Sequence, residues 1–573
     1  MNSNQKIRTR IVLFCIIIVA LCIATALYLT QIVNGESYTK KADKQYTKPN
    51  ISVLNRGNIY FTAKDGSKVS AASITSGFSI YMNPGLIQNA NETFDALSQY
   101  IDMNKNDFLK KASRQNDPYE EIIHKVNSDK AISIGELSLK GIGISRENWR
   151  VYSGDSLASH VLGIIGESKL GYMEGKYGIE KSFDSVLHRQ QSGSGKNTFA
   201  ELMTDLKDSV FGGGSNHVEG DVVTTIEPSV QSYLEKVLKQ KNTEWRPDEI
   251  GGIIIDPSSG EIIAMAALPD FNPNDLSNLK DPRILSNPLV EKVYEMGSIV
   301  KPLTVAIGLD SGTIDKKFTY NDTGTLTLSG KKISNFDGKA RGITPLQQIL
   351  SQSLNVGSAT VALKVGKDIF TKYMSNFGLG SRSGIDLPNE ATGLVNNFKT
   401  GRDVEIATAA YGQGIAVSPI SIVRALAILA NGGKLITPHV VREIDYKDGS
   451  THNTYDPSSA KNVISRDTAE TVTSLLVNVV DTALKQGTIK RPHYSVAAKT
   501  GTAQIPDHTN GGYYSDRYLH SFFGYFPAYN PKFLIFLYQT YPKGAQYASE
   551  TLTEPFDGLT KYLIDYYSIP SDR

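Results

Sequence analysis

Cysteine is nearly absent from this 573-residue chain: Cys15 and Cys22 are the only two, and residues 30 to 573 contain none. Disulfides and a catalytic thiol are thereby excluded outside the N-terminal stretch. Neither cysteine follows the small residue that a lipid-attachment site would want, since Phe14 precedes one and Leu21 the other. Both read as apolar side chains buried in a membrane. An excess of one charge sign is missing as well. Lysine and arginine total 60 against 58 acidic residues, a formal net charge of +2, which argues against nucleic acid as a partner. No internal repeat is visible, and with 40% hydrophobic and 21% charged residues the composition is that of a folded protein. The length exceeds the roughly 250–300 residues one core can hold, so two or more domains are expected.

Charge is also absent from Ile11 to Leu29, IVLFCIIIVALCIATALYL, a run of 19 residues. As a helix it spans about 28 Å, close to the thickness of a bilayer core. Ala24-Thr-Ala26 resembles a small-residue cleavage site, but the run is longer than the roughly 7–15 apolar residues of a cleaved signal. An uncleaved single-pass anchor is therefore expected. Lys6, Arg8 and Arg10 precede it without an acidic residue, which favours a cytoplasmic N-terminus and an extracytoplasmic remainder. Lys40, Lys41 and Lys44 on the far side pull the other way.

Residues 31 to about 215 mix short β-like runs such as FSIYM with polar helical stretches such as NETFDALSQYIDMNKNDFLKKA. QSGSGKN at 191–197 and FGGGSN at 211–216 then mark a break of turn-like composition. Beyond it, EGDVVTTIEPSVQSYLEKVLKQ reads as a strand and an amphipathic helix. GGIIIDPSSGEIIAMAALP and HSFFGYFPAYNPKFLIFLYQTY read as hairpins, with helices such as PISIVRALAILANGG between them. Strands at both ends predict one sheet built from the two termini of this segment. The expected organisation is α+β throughout: a cytoplasmic stub 1–10, a transmembrane helix 11–29, a pedestal 30–215 and a second domain 216–573.

Ser-x-x-Lys occurs six times, beginning at Ser3, Ser37, Ser277, Ser298, Ser329 and Ser458. Only Ser298 opens an apolar helix-like run, VKPLTVAIGLDSG, on which Lys301 would stand almost one turn on and on the same face. A desolvated neutral lysine can take the proton that makes a serine hydroxyl nucleophilic, and a helix N-terminus offers N–H groups to developing negative charge. The bland alternative is a capping serine and a solvated lysine. Ser353-Leu-Asn355, the only Ser-x-Asn in the chain, adds a hydroxyl and a carboxamide that could relay and position, or simply a helix-terminal turn. Lys499-Thr500-Gly501-Thr502 follows the strand-like HYSVAA. There a glycine would admit a substrate backbone to a sheet edge, and the lysine and threonines would bind a carboxylate. A second Lys-Thr-Gly at Lys399–Gly401 has no preceding strand and is set aside.

The order SIVK, SLN, KTGT is that of penicillin-binding proteins and serine β-lactamases. With EGDVVTTIEPSVQ, YEMGSIVKP, AAYGQGIAVSPISIVRALAILANGG and AAKTGTAQ, and with NRGNIY, WRVYSGDSLASHVLGIIG and YGIEKSFD in the N-terminal part, the chain resembles the class B, monofunctional penicillin-binding proteins. The resemblance implies a central antiparallel sheet flanked by helices in 216–573 and a dimerisation-like pedestal before it. It implies Ser298 as the acylated nucleophile, Lys301 as its base, Ser353 as proton relay and Asn355 as holder of the donor amide. Lys499, Thr500 and Thr502 would bind the terminal carboxylate, Gly501 would be substrate-binding beside them, and the N–H groups of Ser298 and Thr502 would form the oxyanion hole. The implied reaction cross-links peptidoglycan stem peptides with release of D-alanine, without cofactor or metal. β-Lactams would act as covalent inhibitors, and a polytopic membrane glycosyltransferase and divisome proteins would be partners in a septal role. Ala498 departs from the glycine common before Lys-Thr-Gly. An elongation-type enzyme and a D,D-carboxypeptidase are alternatives, and a β-lactam sensor stands behind them. A β-lactamase is disfavoured, because Glu390, the candidate for its deacylating glutamate, has Leu394 four residues on. No acidic glycosyltransferase motif is found in 31–215.

Overall fold

The computed structural model describes residues 54–169, 173–189, 219–507 and 509–573, with scattered positions between 14 and 25. The expected anchor at 11–29 lies largely outside the described residues, and both glycine-serine breaks lie wholly outside them. Among the described residues no helix is long and apolar enough to cross a membrane.

The chain divides into two compact units, and the described part of one is Leu54 with residues 75–149 and the scattered positions between 14 and 25. Its core holds Ile80, Met82, Leu97, Ile101, Phe108 and Ile134. FSIYM closes the strand Lys68–Met82 and there pairs antiparallel with Glu120–Val126. The polar stretch after it forms two helices, Ala90–Leu97 and Lys105–Ala112. Asn89 and Asn104 each accept N–H bonds from the first turn that follows, so the second asparagine starts a new helix.

The other unit comprises residues 55–74 and 150–573. NRGNIY and YGIEKSFD meet in it around a buried ion cluster. Arg56 Nε donates to Glu180 at 2.5 Å and its Nη1 to Asp184 at 2.7 Å, while Arg150 Nε takes the second Glu180 oxygen at 2.7 Å. Glu180 is fully buried, and its charge is tolerable there because both oxygens are matched.

After the strand Gly220–Thr224 come helix α1 (Pro228–Trp245) and strands β1 (Glu249–Ile255) and β2 (Ile262–Leu268). Helix α2 (Lys301–Asp310) is followed by the hairpin β3 (Thr325–Leu328) and β4 (Lys331–Ser334), then by α3 (Asn355–Val365), α4 (Pro419–Ala430) and α5 (Arg466–Asn478). Strands β5 (Ala497–Pro506), β6 (Tyr513–Phe526) and β7 (Phe533–Thr540) and helix α6 (Thr553–Tyr567) complete the fold. The five longer strands form one antiparallel sheet in the order β5–β6–β7–β1–β2. The first and last hairpins thus close a single sheet, as their sequences predicted. Helix α4 is buried at every position but Arg424, which is why the rest of its sequence is almost wholly apolar. Helix α2 packs on α3 and α5. The segment before α2 and the edge strand β5 are adjacent, and the candidate catalytic residues come from this segment, β5, the turn before α3 and the first residues of α2 and α3.

Candidate active site

The segment leading into Ser298 is pinned from several sides. Tyr294 exchanges both backbone hydrogen bonds with Val417, at 3.0 and 2.9 Å. Its hydroxyl donates to Glu249 of β1, which also accepts from Tyr538 at 2.7 Å. Gly297 has φ +64 and Gly412 φ +78, and a Cβ on Gly412 would lie 2.2 Å from the Gly297 carbonyl. Glycine at 412 is therefore required by close approach as well as by conformation. Ser298 falls in a 3-10 turn, Gly297–Val300, that runs straight into α2, not in the first turn of an α-helix. With three residues per turn, Lys301 follows Ser298 on the same side. Met296 and Val300, not Ser298, hold the N-cap positions of the 3-10 turn and of α2, and Lys301 is fully buried, so the capped-serine, solvated-lysine alternative does not describe this turn.

Lys301 Nζ donates to the Ser353 carbonyl at 2.5 Å and to its hydroxyl at 3.2 Å. Lys499 Nζ donates to the same hydroxyl at 3.0 Å and to the Thr500 carbonyl at 2.8 Å. Neither lysine forms an ion pair among the described residues. Burial therefore pushes Lys301 well below the ordinary lysine range, with the charge of Lys499 adding to the shift, and burial brings Lys499 to about 7. A neutral Lys301 spends its two hydrogens on Ser353 and keeps its lone pair free, which is the state a general base needs. The Ser353 hydroxyl accepts from two lysines, leaving its own hydrogen available for donation. Ser353 adopts φ +55, a left-handed conformation that costs a non-glycine residue about 1–3 kcal/mol.

Asn355 opens α3, and its Nδ2 donates to the Ser334 carbonyl at 2.9 Å. Ser298, Ser353, Asn355, Thr500 and Thr502 line one cavity of about 650 Å³. The Thr502 hydroxyl accepts from the Ala548 N–H at 3.1 Å. Gly501 does not line this cavity. A Cβ there would lie 2.3 Å from Ser521 Oγ and 2.8 Å from the Met296 carbonyl, so this glycine lets β5 seat against the nucleophile segment, a different reason from the substrate approach that its position suggested.

The structure adds groups that the triplets did not. Tyr411 and Gln413, from the AAYGQGIAV block, and Lys332 line the same cavity. Glu295 accepts from the Tyr513 hydroxyl at 3.0 Å, and burial pushes its carboxyl up to about 7. Of these, Glu295 stands in the YEMGSIVKP block and Tyr411 and Gln413 in the AAYGQGIAV block, while Lys332 carries no such signal. Glu390 lies elsewhere: its two oxygens accept the N–H groups of Ser383, at 2.5 Å, and Gly384, at 3.1 Å, and it does not line the cavity. Lys399 sits in the short helix Asn397–Thr400, away from any strand.

Residues 250–557, more than half of the chain, match the family described as penicillin binding protein transpeptidase domain, and residues 52–200 match the penicillin-binding protein dimerisation domain. The chain belongs to the class B penicillin-binding proteins. Among its relatives, stage V sporulation protein D of Bacillus subtilis (strain 168) is 30% identical over 97% of this chain and 85% of that protein. Peptidoglycan D,D-transpeptidase FtsI of Escherichia coli (strain K12) is 26% identical over 76% of this chain and 70% of that one. The crystal structure of penicillin binding protein 3 from Mycobacterium tuberculosis complexed with aztreonam superposes with a TM-score of 0.68 at 23% identity, covering 91% of this chain and 98% of that one. At that identity the likeness is one of fold. It places the sheet and helices of this penicillin-binding protein in the same architecture as those of the solved ones.

Proposed function

We propose that the protein is a serine-type peptidoglycan D,D-transpeptidase. The observation that carries the reading is a fully buried Lys301 with no ion-pair partner among the described residues, bonded twice to Ser353 on the wall of the cavity that holds Ser298. Lys301 takes the Ser298 hydroxyl proton as Oγ attacks the carbonyl of a D-alanyl-D-alanine bond. N–H groups of Ser298 and Thr502 stabilise the oxyanion. Asn355 holds the donor amide, and Lys499, Thr500 and Thr502 bind the terminal carboxylate. The proton returns through Ser353 to the nitrogen of the departing D-alanine, leaving an ester on Ser298. An amine of a second stem attacks that ester, the new amide forms, and the serine regains its proton. No cofactor or metal enters this scheme. β-Lactams would stop at the ester.

The domain plan we infer is a cytoplasmic stub 1–10, an anchor 11–29, a pedestal 30–215 and a transpeptidase domain 216–573, in a bacterial cell membrane with catalysis outside. The apolar run and its basic flank support this. We place the enzyme in septal synthesis, with a polytopic glycosyltransferase and divisome proteins as partners. Depletion tests the role: filaments support septation, and rounded cells support elongation. The reaction is tested by giving the purified protein a stem pentapeptide with and without an acceptor amine. Transfer of the acyl group to the amine, with one D-alanine released per turnover, supports the transpeptidase. Hydrolysis that dominates even with the amine present makes it a carboxypeptidase.

A further inference from the structure

We propose that Lys332 recognises a second carboxylate on the donor stem, one or two residues before the scissile dipeptide, so that stems with a free carboxylate there are preferred over amidated stems. This rests on the transpeptidase reading above and deepens it.

No side chain lining the catalytic cavity is a carboxylate. Of the three lysines at the site, Lys301 and Lys499 are buried and committed to Ser353. Lys332 is exposed and lines the cavity. Among the described residues it makes no ion pair and no side-chain hydrogen bond. A cation on a flexible stem, facing a cleft without acids, raises the local concentration of anions.

The position of Lys332 is fixed by its strand. It pairs with Thr327 across the β3–β4 hairpin, and Ser329 at φ +48 and Gly330 at φ +77 make the turn. Lys332 and Ser334 lie two apart and therefore on one face of β4. The end of that strand is tied to the catalytic turn: the Ser334 carbonyl accepts from Asn355, and Asn335 Oδ1 accepts the Val356 N–H at 3.1 Å. Two strand residues span about 7 Å, and an extended peptide advances about 3.3–3.6 Å per residue. From a donor amide held at Asn355, the ammonium of Lys332 therefore reaches a side group one or two residues upstream. The donor's terminal carboxylate is already assigned to Lys499, Thr500 and Thr502, so the anion met by Lys332 is a different one.

The test uses the full-length protein and two D-alanyl-D-alanine stem peptides that differ only in whether the upstream group is a carboxylate or a carboxamide. D-Alanine release gives kcat/KM for each, and their ratio within one variant is independent of how much of that variant is folded. The wild type is expected to favour the free carboxylate about fivefold, the scale of one partly exposed ion pair. Lys332→Arg is expected to keep the preference, Lys332→Gln to abolish it, and Lys332→Glu to reverse it. A wild-type ratio of one, or a preference that survives in Lys332→Gln, overturns the inference. Failure of the parent reading looks different: the wild type would release D-alanine from neither peptide, and the inference would fall with it.

Discussion

Lys301 gives its side-chain hydrogen bonds to a single residue, Ser353, 52 positions away, meeting the carbonyl at 2.5 Å and the hydroxyl at 3.2 Å. The carbonyl is presented by the left-handed backbone of Ser353, so the strain at that residue and the orientation of the amine belong together. Ser353→Ala keeps the carbonyl contact and removes the hydroxyl proposed as relay. It is expected to slow acylation by a fluorescent β-lactam about 10²-fold, whereas Lys301→Met, which removes the base, is expected to cost up to about 10⁴-fold. Equal losses in stopped-flow measurements on the two variants would contradict the division of roles.

Acylation is expected to be bell-shaped in pH. Lys301 must be neutral to act, so the rate rises as pH passes its depressed pKa. Lys499 must be charged to bind a carboxylate, so the rate falls above about 7, by up to about tenfold per pH unit. Lys499→Arg holds its charge at every working pH and is expected to remove the alkaline limb. The second-order constant for a carboxylate-bearing β-lactam between pH 5 and 9 checks this, and an unchanged alkaline limb in the variant would rule it out.

Glu295 provides a stability test. Its folded pKa of about 7 lies above the ordinary glutamate value, so the native state binds the proton more tightly than the unfolded one. The resulting stabilisation is full below the unfolded pKa and is lost as pH rises to about 7. Glu295→Gln has no such titration, so its Tm relative to wild type is expected to climb between pH 5 and 8. The loss amounts to at most about 3 kcal/mol. A Tm difference that stays flat across that range would contradict the burial argument.

Gly501→Ala places a methyl group 2.3 Å from Ser521 Oγ and 2.8 Å from the Met296 carbonyl. Such overpacking costs about 1–3 kcal/mol, and here it pushes on the residue that precedes Gly297 and Ser298. Labelling is expected to slow at least about tenfold, with a lower Tm. Adding Ser521→Gly removes the nearer clash and is expected to recover part of both. No recovery would mean that Gly501 serves something other than packing.

Much of this was legible because it is local. The strands of GGIIIDPSSGEIIAMAALP and HSFFGYFPAYNPKFLIFLYQTY are short-range patterns, and α4 shows its burial in a sequence with Arg424 as its one charge. Ser298, Ser353 and Lys499 each stand in a short triplet, and the structure brings Ser353 to both buried lysines and onto the cavity that Ser298 lines. What hid was tertiary. The 3-10 turn at Ser298 depends on Gly412, and Glu295 depends on Tyr513, 218 positions away. Lys332 ends Ser329-Gly-Lys-Lys, one of the six Ser-x-x-Lys copies. As a motif that copy carries no chemistry, yet its lysine reaches the site because Ser334 and Asn335 are tied to Asn355 and Val356 across twenty-one positions.

Acylation of Ser298, with Lys301 as its base, is open to direct observation. Its most direct test is intact mass and peptide mapping of the full-length protein after a fluorescent β-lactam. A single adduct on the peptide carrying Ser298, absent from Ser298→Ala, is the expected result. An unlabelled wild type, or a Ser298→Ala variant that labels equally well, would contradict it.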